Sequence, residues 1–337
     1  MMSRTEDQMK RIMVIHTGGT FGMMPMKPSE VLAPGNLQDK IMSLVPEITQ
    51  IANIHVKVMF NQDSSDFSAL QWEELSGFIY ENLDAYDGFV VIHGTDTMVY
   101  TAAALSFSLL NLNKPVILTG AQRPLSKLRS DARLNLIDAV ELATMDIPEV
   151  LIVFGQRILR GNRARKLSMN HYRAFHSPNF PYLGEIGVGI QIDQSRILKP
   201  NDHPSFLKGF NSDVAVISIQ PGIHPQHFES LLQTSVNIFI LQAFGAGNLP
   251  CAEINWVPFI QKATELGKLV FIGSHSMSGS VKLEQYASAK QAGDAGAHGI
   301  GAMTVEAAYV KLQKISALTQ DKTEILQKFN EDWAGEL

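Results

Sequence analysis

Cys251 is the only cysteine in the chain, which excludes an internal disulfide and leaves no thiolate cage for zinc. Long apolar runs are missing too. No stretch approaches the roughly 18 uninterrupted apolar residues of a membrane-spanning helix, and the apolar run after the polar residues 1–10 is too short for a signal-peptide core. The expectation is a soluble, cytoplasmic protein. Nor is there a basic excess: 28 Lys and Arg face 33 Asp and Glu, for a net charge of −5. That sign disfavours nucleic acid or an anionic membrane as a general partner and leaves small molecules as the expected ones. Neither G-x-x-x-x-G-K-[ST] nor the G-x-G-x-x-G spacing occurs, so nucleotide binding has little support. H-E-x-x-H is absent, and His224 and His227, just ahead of an expected helix, read as surface histidines rather than metal ligands. No cofactor and no metal is expected. Repeats and low-complexity tracts are lacking.

What the chain does have is 337 residues, more than a single core usually serves, which predicts two domains. Residues 11–15 form a continuous apolar run suited to a strand buried on both faces of a parallel sheet. Residues 54–60 alternate Ile54, Val56, Val58 and Phe60 as a strand does, and residues 88–92, 115–118 and 150–154 are further apolar runs. Helices are expected over 37–44, from a Ser68/Gln71 capping box to about Leu83, over 98–110, and after Ser130-Asp131. This alternation predicts a three-layer α/β domain. Residues 23–36 carry Pro25, Pro28, Pro34 and Gly35 and read as a lid-like loop. Residues 185–192 read as one short exposed strand. The expected organisation is an amino-terminal α/β domain over 1–194, a linker over 195–211 around Pro200 and Pro204, and a carboxyl-terminal α/β domain over 212–337. In the latter, strands over 214–219, 236–241 and 269–272 precede helices over 304–317 and 322–330.

Three polar clusters directly follow expected strands. Thr17-Gly18-Gly19-Thr20 places a hydroxyl in a glycine-rich turn, and Asp63-Ser64-Ser65-Asp66 and His93-Gly94-Thr95-Asp96-Thr97 come next. Each has an ordinary reading. The first is a strand-to-loop turn, the second a turn, and the third a helix cap contributing about 1 kcal/mol. The functional reading is convergence, because strand carboxyl ends in a parallel sheet share one edge where ligands bind. The basic run over 157–166, with Arg157, Arg160, Arg163, Arg165 and Lys166, has three readings. It is a solvated hairpin, a polyanion patch, or the source of a lysine that acts beside Thr95 and Asp96 as the base of a Thr-Lys-Asp relay if burial lowers its pKa. Of the first two, the solvated hairpin is favoured.

Taken in order, Thr17-Gly18-Gly19-Thr20-Phe21-Gly22-Met23, Asp63-Ser64-Ser65-Asp66, His93-Gly94-Thr95-Asp96-Thr97-Met98 and Arg160-Gly161-Asn162-Arg163-Ala164-Arg165-Lys166 resemble the bacterial L-asparaginase family, nearest its cytoplasmic type I branch. Lys114-Pro115-Val116-Ile117, Gly245-Ala246-Gly247-Asn248 and Met277-Ser278-Gly279 extend the likeness over nearly the whole chain. The resemblance implies a flavodoxin-like first sheet and hydrolysis of the asparagine side-chain amide to aspartate and ammonia through an acyl-enzyme on threonine. It assigns Thr20 as nucleophile, and Thr95, Asp96 and Lys166 as a second catalytic triad. It matches Asp63, Ser64 and Ser65 to residues that hold the substrate's α-amino and α-carboxylate groups, and implies that Thr95 and Asp96 bind substrate as well. It also implies a homodimer or a tetramer of two close dimers, in which Asn248 reaches a partner's site. One feature departs from the family: residues 23–36 contain no tyrosine, Glu30 stands near its usual place, and Tyr309 is a candidate substitute. Two alternatives accompany this reading, the ammonia-producing subunit of a tRNA-dependent amidotransferase and an inactive amino-acid-binding sensor.

Overall fold

Seven of the eight residues of strand β1 (Arg11–Gly18) are buried, which is the burden of a strand with sheet neighbours on both sides and helices on both faces. The structure, a computed structural model, describes residues 9–19 and 41–337. Thr20, the loop over 23–36 with Glu30, and the expected helix start at 37 lie outside the described residues. By contacts the chain falls into two units, one running to Ser177 and resuming over Pro181–Lys208, the other made of Pro178–Phe180 and Gly209–Leu337.

In the first unit β1 pairs in parallel with β2 (Asn53–Gln62) and with β3 (Gly88–Ile92). The sheet continues in parallel through β4 (Val116–Thr119) and β5 (Val150–Phe154). It then turns antiparallel through β6 (Arg157–Arg160), β7 (Gly184–Ile186) and β8 (Ile190–Ile192). The parallel part has the order β2-β1-β3-β4-β5, the doubly wound flavodoxin-like order, whose direction reverses between β1 and β3. On one face Met13, Ile15, Phe89, Val91, Val116 and Leu118 pack against Leu75 and Ile79 of α1 (Ala69–Glu81) and Met98, Val99, Ala102 and Leu105 of α2 (Met98–Ser108). Helix α3 (Ala132–Ala143) covers the other face, where a side chain at Gly88 would meet both Ile12 and the Ala143 carbonyl. Fully burying each such Val, Leu, Ile or Phe stabilises the fold by about 1.5–3 kcal/mol. Helix α1 starts as its capping box predicts, with the Ser68 N–H and hydroxyl both donating to Gln71 Oε1 at 2.9 and 2.7 Å.

Four expectations need correction. Helix α2 stops at Ser108 instead of Leu110, because Leu109–Leu110 turn extended to pair antiparallel with Ser205–Phe206, a tertiary pairing that overrides leucine's helical preference. The single strand expected over 185–192 is a hairpin, β7 and β8, folded at Gly187-Val188-Gly189. Strand β1 runs three residues beyond Ile15, with His16 and Thr17 buried. The basic run is not a solvated hairpin. Its first four residues form β6 against β5, and Arg160 and Arg163 are buried. Arg160 Nε donates to Glu149 Oε2 at 2.7 Å and its Nη2 to the Arg196 carbonyl at 2.6 Å, so a buried ion pair replaces the expected hydration.

The second unit is a parallel sheet of β9 (Val214–Ser218), β10 (Ile238–Ala243), β11 (Leu269–Ser274) and β12 (Ala297–Gly299), in that order. Strand β12, three residues long, has no periodic signature and was not expected. Helices α4 (Val257–Glu265), α5 (Ala287–Asp294), α6 (Val305–Leu318) and α7 (Lys322–Phe329) accompany it. The core gathers Phe239, Trp256, Phe259, Phe271 and Phe329. Against this core α6 buries Lys311 completely, paired with an equally buried Glu336. Lys311 Nζ also donates to the carbonyls of Phe329 at 3.0 Å and Glu331 at 2.5 Å, while Glu336 accepts the N–H groups of Trp333 and Ala334 at 3.0 and 2.8 Å. Burial pulls the lysine pKa down and Glu336 pulls it back up. Removing one partner strands the other charge, so Glu336→Gln is expected to destabilise the protein by about 3–5 kcal/mol, whereas Lys311→Met combined with Glu336→Leu recovers most of that loss. Urea unfolding of the three proteins checks the ordering.

Candidate functional site

The carboxyl ends of β2, β1 and β3 lie side by side, with His16 in register with Val58 on one neighbour and Ile92 on the other. Three loops leave these ends, and glycines let them touch. Gly18 and Gly19 have φ of +118° and +81°, a region few side chains tolerate. A Cβ on Gly18 would stand 2.1 Å from the Gln62 carbonyl oxygen, one on Gly19 2.5 Å from Gly94 Cα, and one on Gly94 2.6 Å from Ser64 Oγ. Two hydroxyls tie the same loops: Thr17 Oγ1 donates to the Ile92 carbonyl at 3.0 Å and Thr97 Oγ1 to the Ser64 carbonyl at 2.6 Å. Gly19, the last described residue before Thr20, therefore lies against the loop that carries Thr95.

In the β2 loop Asp63 Oδ1 accepts the Ser65 N–H and the Ser65 hydroxyl, both at 2.8 Å, which is an Asx-type turn. These hydrogen bonds, the backbone one foremost, hold the Asp63 carboxyl below its usual range. Ser64 is buried while Asp63 and Ser65 are exposed. A carboxylate and a hydroxyl thus remain open to solvent beside the β1 loop.

In the β3 loop the capping reading fails. Thr97 occupies the cap position of α2 without a side-chain capping bond. Thr95 and Asp96 instead take Lys166, whose Nζ donates to Thr95 Oγ1 at 2.7 Å and to Asp96 Oδ1 at 2.6 Å. A charge-assisted bond to ammonium outweighs an ordinary cap. Thr95 is buried, Lys166 is 15% exposed and Asp96 69% exposed, so the cluster has a dry end and a wet end.

Lys166 is delivered from the far side of the sheet. After β6 is pinned by the Arg160–Glu149 pair, Gly161–Arg163 make one tight turn beneath α2, where a Cβ on Gly161 would press Val150 and Ala102. Arg165–Lys166 then pair antiparallel with Phe175–His176. The segment beyond is held by Gln122, whose Nε2 donates to the carbonyls of Ser168 and His171 at 3.0 and 3.2 Å. Gln122 is in turn placed by Asp131, which accepts the backbone N–H groups of Gln122 at 3.0 Å and Arg123 at 3.0 Å. Asp131 looked like a simple helix opener, and Gln122 and Glu149 stood in no motif.

Asn248 belongs to the second unit, half-buried in the Phe244–Asn248 turn and accepting the Ser288 hydroxyl at 3.1 Å. Tyr309 packs half-buried against the core of that unit, and burial pushes its phenol up. His224 and His227 are exposed. Among the described residues no group of three or more His, Cys, Asp or Glu side chains is arranged to hold a metal, and no helix is long and apolar enough to cross a membrane.

Comparison with known proteins decides the lineage. The family models "Asparaginase, N-terminal" and "Glutaminase/Asparaginase C-terminal domain" match residues 11–198 and 213–329. The chain belongs to the asparaginase family. It is 36% identical over 336 residues to L-asparaginase 1 of Escherichia coli K12, covering 98% of each chain. It is 34% identical to a glutamyl-tRNA(Gln) amidotransferase subunit of Pyrococcus horikoshii, covering 97% of this chain and 76% of that protein. Among solved structures, L-asparaginase I from Vibrio cholerae superposes with a TM-score of 0.88 at 36% identity, over 98% of this chain and 99% of that one. The thermostable L-asparaginase from Thermococcus kodakarensis gives 0.89 at 28%, over 97% and 99%.

This asparaginase-family site also stores acid sensitivity. Burial pushes His16 down to about 4, against a smaller opposing pull from the Phe60 backbone, and pushes His93 to about 4 as well. Both imidazoles are therefore neutral in the fold and protonate near 6.5 once unfolded, so stability is full above 6.5 and falls as pH drops toward 4. Asp138 acts oppositely, because burial raises it to about 6 from 3.8 and the fold keeps that proton longer. Two histidines outweigh one aspartate. Unfolding free energy is expected to fall by roughly 1 kcal/mol per pH unit between about pH 6 and about pH 4.5, measured by urea titration.

Proposed function

We propose that this chain is a cytoplasmic L-asparaginase that hydrolyses asparagine to aspartate and ammonia through an ester on Thr20. The observation that carries the proposal is the meeting of Lys166 with Thr95 and Asp96 beside the loop that leads into Thr20.

An amide is a poor electrophile, so the reaction needs an activated hydroxyl, a proton for the departing nitrogen and a grip on the rest of the substrate. The exposed Asp63 carboxylate suits the α-ammonium of an amino acid, and Ser64, Ser65, Thr95 and Asp96 supply hydroxyl, backbone and carboxylate partners for its other polar atoms. Thr20 Oγ attacks the side-chain carbonyl carbon, forming a C–O bond and a tetrahedral oxyanion while its hydroxyl proton passes into the Thr95–Lys166 relay. The C–N bond then breaks, and the nitrogen leaves as ammonia with a proton passed from Thr95. Because Lys166 Nζ donates to Thr95 Oγ1, the proton that Thr95 gives up is replaced from the lysine, while Asp96 holds the ammonium in place. Water then attacks the ester carbon, the bond from that carbon to Thr20 Oγ breaks, and one proton of the water passes through the same relay to Thr20 Oγ, releasing aspartate and restoring the hydroxyl. No step calls for a metal or cofactor. In the assembly we read, a homodimer or homotetramer, Asn248 of one protomer completes the site of another.

The Pyrococcus horikoshii relative keeps a second reading alive, an amidotransferase component whose ammonia is made for a tRNA-linked partner reaction. Ammonia release from free asparagine with no tRNA present separates the two. In the same assay Thr20→Ala is expected to lower kcat by about 10³-fold or more while the protein still binds aspartate. A Thr20→Ala variant within tenfold of the parent contradicts the nucleophile, and a parent that binds aspartate but releases no ammonia points to a sensor.

A further inference from the structure

We propose that His93 is a positioning residue for the Thr95–Asp96–Lys166 cluster, holding the Gly94 carbonyl through a one-directional chain of buried hydrogen bonds that starts at Trp72. The role rests on the amide-hydrolysis reading above.

His93 directly follows β3 and is 1% exposed. Its Nδ1 lies 2.7 Å from its neighbour's carbonyl, Gly94 O, and its Nε2 3.0 Å from Thr101 Oγ1 on α2. Thr101 Oγ1 also receives Trp72 Nε1 of α1 at 3.1 Å. The chemistry of the two ends settles the direction of the whole chain. An indole N–H only donates and a carbonyl only accepts, so Trp72 donates to Thr101, Thr101 donates to His93 Nε2, and His93 Nδ1–H donates to Gly94. This assignment places the proton on Nδ1, the less common tautomer of a free imidazole. Protonating Nε2 would set two N–H donors on the Thr101 oxygen and leave its own hydroxyl proton without its acceptor, and burial already disfavours the charge.

The ring has nowhere to turn. Phe67, at the end of the Asp63–Ser65 loop, packs its ring edge-on to the imidazole at 4.5 Å. The backbone is pinned as firmly: His93 N–H donates to the Thr119 carbonyl at 2.8 Å, and Gly94 is wedged between Gly19 and Ser64. What the pinning leaves to decide is the plane of the Gly94–Thr95 peptide. A trans peptide is flat, with C=O and N–H pointing opposite ways. Fixing the Gly94 oxygen on the imidazole therefore points the Thr95 N–H away from His93 and sets the base from which the Thr95 and Asp96 side chains meet Lys166. His93 has both nitrogens committed to Gly94 and Thr101 and is closed off from solvent, while Lys166 Nζ bonds Thr95 and Asp96, which is why His93 positions and does not take part in proton transfer.

The test compares asparagine hydrolysis by the parent, His93→Leu, His93→Asn and Thr101→Val with ¹⁵N spectra of protein labelled at histidine nitrogens. The Asn amide nitrogen stands where Nδ1 does, so it preserves the bond to Gly94. We expect His93→Leu to lower kcat at least tenfold with KM within about threefold, and His93→Asn to recover most of that loss. The His93 signal, identified by its absence from His93→Asn, is expected to show Nδ1–H and no titration down to about pH 5. If His93→Leu fails to fold, Thr101→Val serves: it leaves Nε2 without its donor and is expected to lower kcat by a smaller factor. A folded His93→Leu within twofold of the parent kcat overturns the proposal, as does a parent whose ring carries the proton on Nε2 or titrates near 6.5. A parent that releases no ammonia overturns the hydrolysis reading and this role with it, whereas an active parent with the wrong tautomer overturns this role alone.

Discussion

One nitrogen atom joins what 70 residues of chain separate. Lys166 Nζ reaches Thr95 Oγ1 and Asp96 Oδ1 within 2.7 Å, and much of the first unit can be understood as the apparatus that keeps it there. An ammonium bonded to a hydroxyl and a carboxylate is strong only when the geometry is held, since a flexible lysine in water gains little from either. The structure supplies that restraint from two directions. The buried Arg160–Glu149 pair fixes where the segment toward Lys166 begins, and the Gln122 amide fixes the segment that follows it. Thr95 and Asp96 are held from the opposite side, by the packing of Gly94 against two neighbouring loops.

That packing explains the glycines. Gly18, Gly19 and Gly94 stand where a methyl group would overlap backbone or side-chain atoms of the adjoining loop. They bring three strand ends to contact distance at the point where the sheet order reverses, which is where an open α/β sheet offers a crevice. Fold and chemistry are connected here by distance alone. The parallel strands place three loops on one edge, and the absent side chains close the gaps between them. The result is a cluster of hydroxyls, carboxylates and one ammonium assembled from positions far apart in the chain.

The parallel strands of both sheets other than β12 were largely legible, because each is a short apolar run bounded by turn residues, and their parallel arrangement followed from the helices between them. Helix α1 announced its start through Ser68 and Gln71. The misreadings share a cause: they concern groups whose partners are remote. Nothing near Arg160 shows that Glu149 will bury it, so a basic run looked hydrated. Leu109–Leu110 continue a helical pattern until Ser205–Phe206, almost a hundred residues on, supply a strand partner. Thr95 and Asp96 have the composition of a cap, and only Lys166 removes them from that duty. Gln122 stood in no motif and Asp131 read only as a helix opener for the same reason, since an amide that grips backbone carbonyls and a carboxylate that places it leave no pattern in residue types. The three polar clusters did stand out, because each follows a strand, and their adjacency depended only on sheet order. The meeting with Lys166 was one of three readings of the basic run, and likeness to the asparaginase family singled it out. Thr20 lies outside the described residues, and its role rests on that likeness and on the position of Gly19.

The most direct measurement of the account is ammonia release from asparagine by Lys166→Met set beside the parent, with both proteins shown to be folded. If the lysine feeds protons through Thr95, the variant loses about 10²–10⁴-fold in kcat, while aspartate still binds through the Asp63–Ser65 loop. A variant that keeps kcat within fivefold of the parent would mean that the Thr95–Asp96–Lys166 contact is structural only.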